Sequence, residues 1–163
     1  MSNTIKIKTT RFGEIEVSSE NIINFPQGLI GFKNYKSFII DPALWSGVFG
    51  WMQSVDDPAI AFIITDPTLF YKNYEVTLKD DDQLVIEYGE KANLQVYVIV
   101  VVNREEKCIT ANYYAPIVIN LATKKGKQLI LEGSSYKIRY DLPGSMVIKE
   151  EDKKIDSPDE KSQ

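Results

Sequence analysis

Apolar and polar residues alternate along most of this chain. Thr4-Ile5-Lys6-Ile7-Lys8 sets isoleucines on one face and polar residues on the other, the period of two expected of a half-buried strand. After the turn residues Arg11-Phe12-Gly13, Glu14-Ile15-Glu16-Val17 repeats the pattern. Further strands are predicted over 22–25, 37–40, 49–54 and 59–65, each bounded by Asp, Pro or Gly. The valine-rich run 94–102 is the longest apolar stretch and predicts a central strand buried on both faces. Strands over 108–114, 117–121, 127–131 and 136–140 complete the set. Gln27 to Phe32 predicts a bend permitted by Gly28 and Gly31.

Helical signals are few. Asp66-Pro67 places a proline after an aspartate cap and predicts one short turn over 66–70. Residues 80–89 read as a helix with an acidic first turn and a glycine stop, although Leu84-Val85-Ile86 also suits a strand. The expected fold is mainly β: a small antiparallel barrel or sandwich-like domain with one or two short helices. The domain is expected to span 1–142. Residues 143–163 become polar, with KEEDKKIDSPDEKSQ offering only Ile155, and are expected to form a disordered tail.

Composition narrows the chemistry. The 163 residues contain no histidine, which removes the commonest general base and metal ligand and every Ser-His or Cys-His pair. Cys108 is the only cysteine, so no internal disulfide is possible. There are 19 basic against 23 acidic residues, a net charge of −4, and no basic block beyond Lys124, Lys125 and Lys127. Direct nucleic-acid binding is disfavoured, and a basic protein partner is compatible. No apolar run is long enough to cross a bilayer, and the start lacks the apolar core of a signal peptide, so a cytoplasmic protein is expected.

Two motifs invite catalytic readings. Gly126-Lys127 lacks the upstream glycine and the following hydroxyl of a phosphate loop, and the flanking apolar runs read as a hairpin turning at Lys124-Lys125-Gly126-Lys127. Asp56-Asp57 and Asp80-Asp81-Asp82 are candidates for carboxylate chemistry, but both read better as solvated acidic turns. No cofactor or metal is expected.

Longer motifs carry a family resemblance. Phe25-Pro26-Gln27-Gly28-Leu29-Ile30-Gly31-Phe32 resembles the FP-x-GLPGF signature of the bacterial flagellar assembly factor FliW family, with Ile30 where proline is usual. Trp51-Met52-Gln53-Ser54-Val55-Asp56-Asp57-Pro58, followed by Ile60-Ala61-Phe62, is similar to that family's WLQS-acidic-P block. Asn112-Tyr113-Tyr114-Ala115-Pro116-Ile117-Val118-Ile119-Asn120 resembles its A-P-I-V strand. The resemblance runs in order from about residue 5 to 142. Residue by residue, Pro26, Gly28, Gly31, Phe32, Trp51, Pro58, Phe62 and Pro116 read as core or turn positions.

The resemblance implies a protein that is not an enzyme. FliW-like proteins bind flagellin and the RNA-binding translational regulator CsrA in the cytoplasm, and uptake of CsrA relieves repression of the flagellin messenger. Whether acidic residues occupy the RNA groove of CsrA or act by coupling from elsewhere stays open. Expected contact residues are Asp56 and Asp57, steering a basic partner, together with Asn120, Lys124 and Gln128 around one strand edge and turn. The competing classes are a carboxylate-based hydrolase and a small-ligand-binding β-barrel. A filled core with an exposed apolar groove favours an interaction protein.

Overall fold

Strands form where the alternating pattern lets one face bury against another layer. The computed structural model describes residues 3–143. In chain order its strands are β1 (Thr4–Thr9), β2 (Gly13–Ser18), β3 (Ile22–Asn24), β4 (Ser37–Ile39), β5 (Trp45–Ser46), β6 (Phe49–Ser54), β7 (Ala61–Thr65), β8 (Leu94–Asn103), β9 (Cys108–Ala111), β10 (Ile117–Asn120), β11 (Lys125–Gln128) and β12 (Tyr140–Asp141). One α-helix, α1 (Asp80–Val85), and three single 3-10 turns complete the described residues. The fold is mainly β.

β1 and β2 form a separate hairpin. The remaining strands form one sheet, in which β3, β4, β6, β7, β8, β10 and β11 close a seven-stranded barrel. Closure depends on β10 pairing with β8 on one side and β11 on the other. All of these pairings are antiparallel except the single parallel contact Lys125–Asn24 between β11 and β3. β9 continues along β8 beyond the barrel and carries β12 as an outer edge.

Alternation assigns the side chains to layers. Ile23, Phe38, Met52, Phe62, Ile64, Ile99, Ile117 and Ile119 pack with Phe25 and Leu29 inside the barrel. Phe25 meets Phe38 edge-on at 5.6 Å. A Cβ on Gly126 would lie 2.6 Å from the Phe25 ring, so β11 tolerates only glycine where that ring lies. The opposite faces of β4, β6, β7 and β8 bury Ile39, Trp51, Ile63, Val98 and Val100 under a second layer. The hairpin contributes Ile7 and Val17 to it, and its turn places Arg11 4.1 Å above the Trp51 ring and Phe12 at its edge. This layer also holds a tyrosine cluster.

That cluster joins distant segments. The Tyr74 hydroxyl donates to the Tyr113 carbonyl at 2.7 Å, and the Tyr113 hydroxyl donates to the Pro67 carbonyl at 2.7 Å. Tyr136 and Tyr140 pack on them at 4.7 Å between ring centroids. Burial, reinforced by neighbouring tyrosines, holds the Tyr74 and Tyr113 hydroxyls well above the ordinary tyrosine range.

Helix α1 covers a third, smaller cluster of Ile86, Val118 and Leu129. It is tethered by an ion pair between Lys127 of β11 and Asp82, whose other carboxylate oxygen accepts from the Lys79 N–H at 2.9 Å. Asp82 therefore departs from the solvated acidic turn expected of residues 80–82: it is buried, while Asp80 and Asp81 are exposed. The helix is shorter than expected. It caps at Ile86, and Glu87 turns out of it at φ +54°, before Gly89 is reached.

Other expectations need correction. The hairpin turn lies at 121–124, and β11 begins at Lys125, because Lys124 adopts φ +59° and Asn120 accepts from the Ala122 N–H. Gly126 is thus a strand residue fitted to Phe25, and no strand runs on through 131. The strand expected over 108–114 stops at Ala111, where the Asn112 carboxamide folds back onto the Tyr114 and Ala115 N–H groups. The strand expected over 136–140 reduces to Tyr140–Asp141, because the facing chain has already left the ladder. Along β8 only Val98, Ile99, Val100 and Val102 are fully buried; its first four residues are half-buried. β5 and the 3-10 turns Ser19–Asn21 and Pro42–Leu44 are additions; the latter repeats the Asp-Pro capping signal of residues 66–67. The tail reading lies outside the described residues apart from Pro143.

Two predictions follow from these layers. The folded chain keeps the Tyr74 and Tyr113 protons past the pH at which the unfolded chain releases them. Their contribution is therefore intact below about pH 10 and is lost as pH rises beyond it. Urea denaturation across the alkaline range should show stability falling above about pH 10, with a shallower fall in Tyr74→Phe, which also loses about 1 kcal/mol at neutral pH through its hydrogen bond. Separately, Lys127→Met leaves the Asp82 carboxylate buried without its cation and should cost about 3 kcal/mol in the same measurement. Lys125→Met, which removes only a solvent-exposed 3.6 Å pair with Glu87, should change stability by less than about 1 kcal/mol.

Candidate functional site

A single strand edge serves two neighbours and opens a groove. On the side of β8 away from β7, residues 94–97 pair with β10 and residues 100–103 pair with β9. Between those partners the Asn112 N–H still reaches the Ile99 carbonyl at 2.9 Å, and the chain at 113–116 then leaves the β8 ladder. Asn112 holds this departure with its side-chain oxygen, at 3.1 and 3.0 Å from the Tyr114 and Ala115 nitrogens. β10 then curls inward to close the barrel, while β9 and β12 continue outward. The space between the diverging halves is a groove of about 880 Å³.

Its floor is the barrel mouth and the flared strands: Phe62, Ile99 and Val101. One wall is the Phe25–Phe32 loop. Gly28 sits at φ +66°, and a Cβ there would meet the Lys33 carbonyl oxygen at 2.6 Å, so the loop can fold this tightly only with glycine. Leu29 and Phe32 exchange backbone hydrogen bonds at 3.3 and 2.8 Å, which pushes Ile30 to the tip, 53% exposed. Ile130 and Ile138, the latter 61% exposed, stand along the rim. Three isoleucines in water around one groove form an apolar patch of the kind that marks a binding surface.

Gln128 fixes the groove's shape. Its side-chain oxygen accepts from the Ile30 N–H at 3.0 Å, and its side-chain nitrogen donates to the Ala115 carbonyl at 3.1 Å. One side chain thus clamps the loop wall to the strand break. Among the described residues no acidic side chain lines the groove, whereas Arg139 does, and Lys33 lines the adjoining depression that shares Leu29, Ile30 and Gln128.

The other expected contact residues lie elsewhere. Asn120 is 1% exposed, so its expected role in partner contact is corrected: it donates to the Ile86 and Glu87 carbonyls and accepts from the Asn93 and Ala122 N–H groups, locking α1 to the barrel. Lys124 forms the left-handed turn, and its carbonyl accepts from the Asn24 N–H at 2.9 Å where β3 meets β11. Asp56 is exposed but accepts from the Lys36 and Ser37 N–H groups, and Asp57 accepts from the Ala59 N–H. Asp57 shapes its own turn, Asp56 ties that turn to the start of β4, and neither lines the groove. Of the five residues, only Gln128 reaches the groove.

The motif positions sort in the same way. Phe62 fills the barrel, Trp51 lies under the hairpin, and Pro116 is buried at the start of β10. The Pro58 carbonyl receives the Thr10 N–H at 2.9 Å, pinning the hairpin. Gly28, Gly31 and Phe32 follow exposed Pro26 in the groove wall. Ile30, Ile130, Ile138 and Arg139 escaped the sequence reading. Ile130 and Ile138 sat in segments taken for strands, where alternation explains an apolar residue without a site.

Among the described residues, no three His, Cys, Asp or Glu side chains converge as a metal site, and no helix is long and apolar enough to cross a membrane. The barrel interior is filled by its own side chains.

Comparisons with known proteins agree with this architecture. The sequence model of the FliW protein family matches residues 6–142. The flagellar assembly factor FliW of Syntrophotalea carbinolica is 39% identical over 134 residues, covering 82% of this chain and 95% of that protein. The flagellar assembly factor FliW of Alkaliphilus metalliredigens is 41% identical over 135 residues, covering 82% of this chain and 83% of that one. A crystal structure of the flagellar assembly factor FliW superposes with a TM-score of 0.76 at 34% identity, covering 84% of this chain and 96% of the other. With the family's sequence pattern running through the barrel, the hairpin and the walls of the groove, this chain belongs to the FliW family.

Proposed function

We propose that this protein is a cytoplasmic flagellar assembly factor that works as a partner switch, binding flagellin and the translational regulator CsrA. Free protein takes up CsrA and relieves its repression of flagellin translation. Accumulated flagellin captures the protein and releases CsrA. The switch needs no chemistry, only two complexes that each deplete the pool available to the other.

The observation that carries this reading is an exposed apolar groove on a barrel whose interior is already full. A small-ligand carrier needs room inside, and a hydrolase needs converging carboxylates. The groove instead suits a protein segment with apolar side chains, and unassembled flagellin offers such segments. CsrA, a basic protein, is drawn by the net charge of −4, with Asp56 and Asp57 as steering charges at one exposed turn.

The test is capture of each purified partner from the same organism by the immobilised chain. Both should bind, and prior saturation with flagellin should reduce CsrA capture. Failure of both partners to bind removes the reading. For the steering charges, Asp56→Asn with Asp57→Asn keeps a carbonyl oxygen for each backbone hydrogen bond while removing the charge. The CsrA association rate should fall severalfold at low salt and lose salt dependence, while flagellin kinetics stay unchanged. An unchanged CsrA association rate assigns the steering to other acidic residues.

A further inference from the structure

We infer that the groove takes an amphipathic α-helix whose apolar stripe seats between Ile30 and Ile138 and whose flank carries a carboxylate for Arg139. This deepens, and rests on, the reading of the groove as a protein-binding site.

The backbone of the groove decides for a helix over a strand. An added strand needs a free row of N–H and C=O groups. The floor has none, because β8 is paired with β7 and β9, and β9 with β8 and β12. The Ile30 N–H on the loop wall is taken by Gln128, and Leu29 and Phe32 bond to each other. What the groove presents is side chains: Phe62, Ile99 and Val101 on the floor, Leu29 and Phe32 in the wall, and isoleucines along the rim. A helix satisfies its own backbone and offers only side chains, so it fits a groove without free backbone edges.

The charges decide the flank. Among the described residues no acidic side chain lines the groove or the depression beside it, while Arg139 lines the first and Lys33 and Lys127 the second. In a chain with more acidic than basic residues, this local surplus of cations favours an acidic ligand. Arg139 already holds a carboxylate loosely: its guanidinium lies 3.6 Å from Glu106, and both side chains are exposed. A carboxylate on the docked helix replaces Glu106 with little loss, since an exposed pair of this kind is weak.

The probe is a synthetic peptide of roughly 18 residues, five turns, with leucines at i, i+3, i+4 and i+7 and glutamates on the flanks. A second peptide carries lysines on the flanks, and a third has a central proline. Fluorescence anisotropy with the full chain should show the glutamate peptide binding about tenfold more tightly than the lysine peptide, and the proline peptide losing binding. Ile138→Asp and Ile30→Asp should abolish binding with melting curves unchanged, since both residues are exposed. Arg139→Glu should invert the preference between the two flanks, and Glu106→Gln should tighten the glutamate peptide severalfold. A merely sticky patch does not invert with Arg139. Equal binding of all three peptides, binding indifferent to Ile138→Asp, or no binding overturns the inference. So does concentration-dependent dimerisation that Ile138→Asp abolishes, which assigns the groove to a second copy of the chain. If flagellin is captured regardless of Ile138→Asp while the peptides fail, the helix inference falls and the proposed function stands. If the peptides behave as expected and neither flagellin nor CsrA is captured, the proposed function falls and the helix site stands.

Discussion

The fold depends on how the free edge of β8 is divided. One ten-residue strand must supply hydrogen bonds to β10, which closes the barrel, and to β9, which does not take part in it. A continuous partner strand would keep the sheet open or extend the barrel. The break at 112–116 resolves this: the Asn112 N–H is the last to reach β8, at the Ile99 carbonyl, and beyond it the chain bonds to the Asn112 side chain, to the Lys137 carbonyl, which receives the Tyr113 and Tyr114 N–H groups, and to the Leu129 and Leu131 N–H groups. The groove is the direct consequence: two halves of one strand diverge, and the floor between them stays apolar because it continues the barrel interior.

The same break places the tyrosine cluster. Tyr113 leaves the ladder pointing away from the barrel and is fully buried among Tyr71, Tyr74 and Tyr140. Its hydroxyl reaches the Pro67 carbonyl and its own carbonyl receives Tyr74, so the long connection from β7 to β8 is held by side chains rather than by a ladder. Buried hydroxyls with no partner would be costly; these have partners, and burial then keeps their protons on.

Around the groove, shape and charge have different sources. Shape comes from Gly28, Gly126 and Gln128: one glycine folds the wall, another admits Phe25 against β11, and the glutamine ties the wall to the break. Charge comes from segregation. The exposed carboxylates of Asp80, Asp81, Glu87 and Glu90 lie in and after α1, and among the described residues none lines the groove.

The sequence alone determined the strands that alternate cleanly and the capped turn at Asp66-Pro67, because period two and capping are local properties of side chains. It also carried family membership, through motifs whose glycines and aromatics match in order. It did not determine which apolar residues become site: Ile138 and Ile130 alternate like core residues, and only the divergence of β9 from β10 leaves them in water. Nor did it determine the fate of polar residues. Asn120 and Asp82 look like surface groups along the chain, yet each is buried because a distant segment supplies its partners, Ile86 and Glu87 for one and Lys127 for the other. Local pattern specifies the faces of a strand, but barrel closure brings residues 30, 99, 128 and 138 together, and sequence spacing carries no record of that contact.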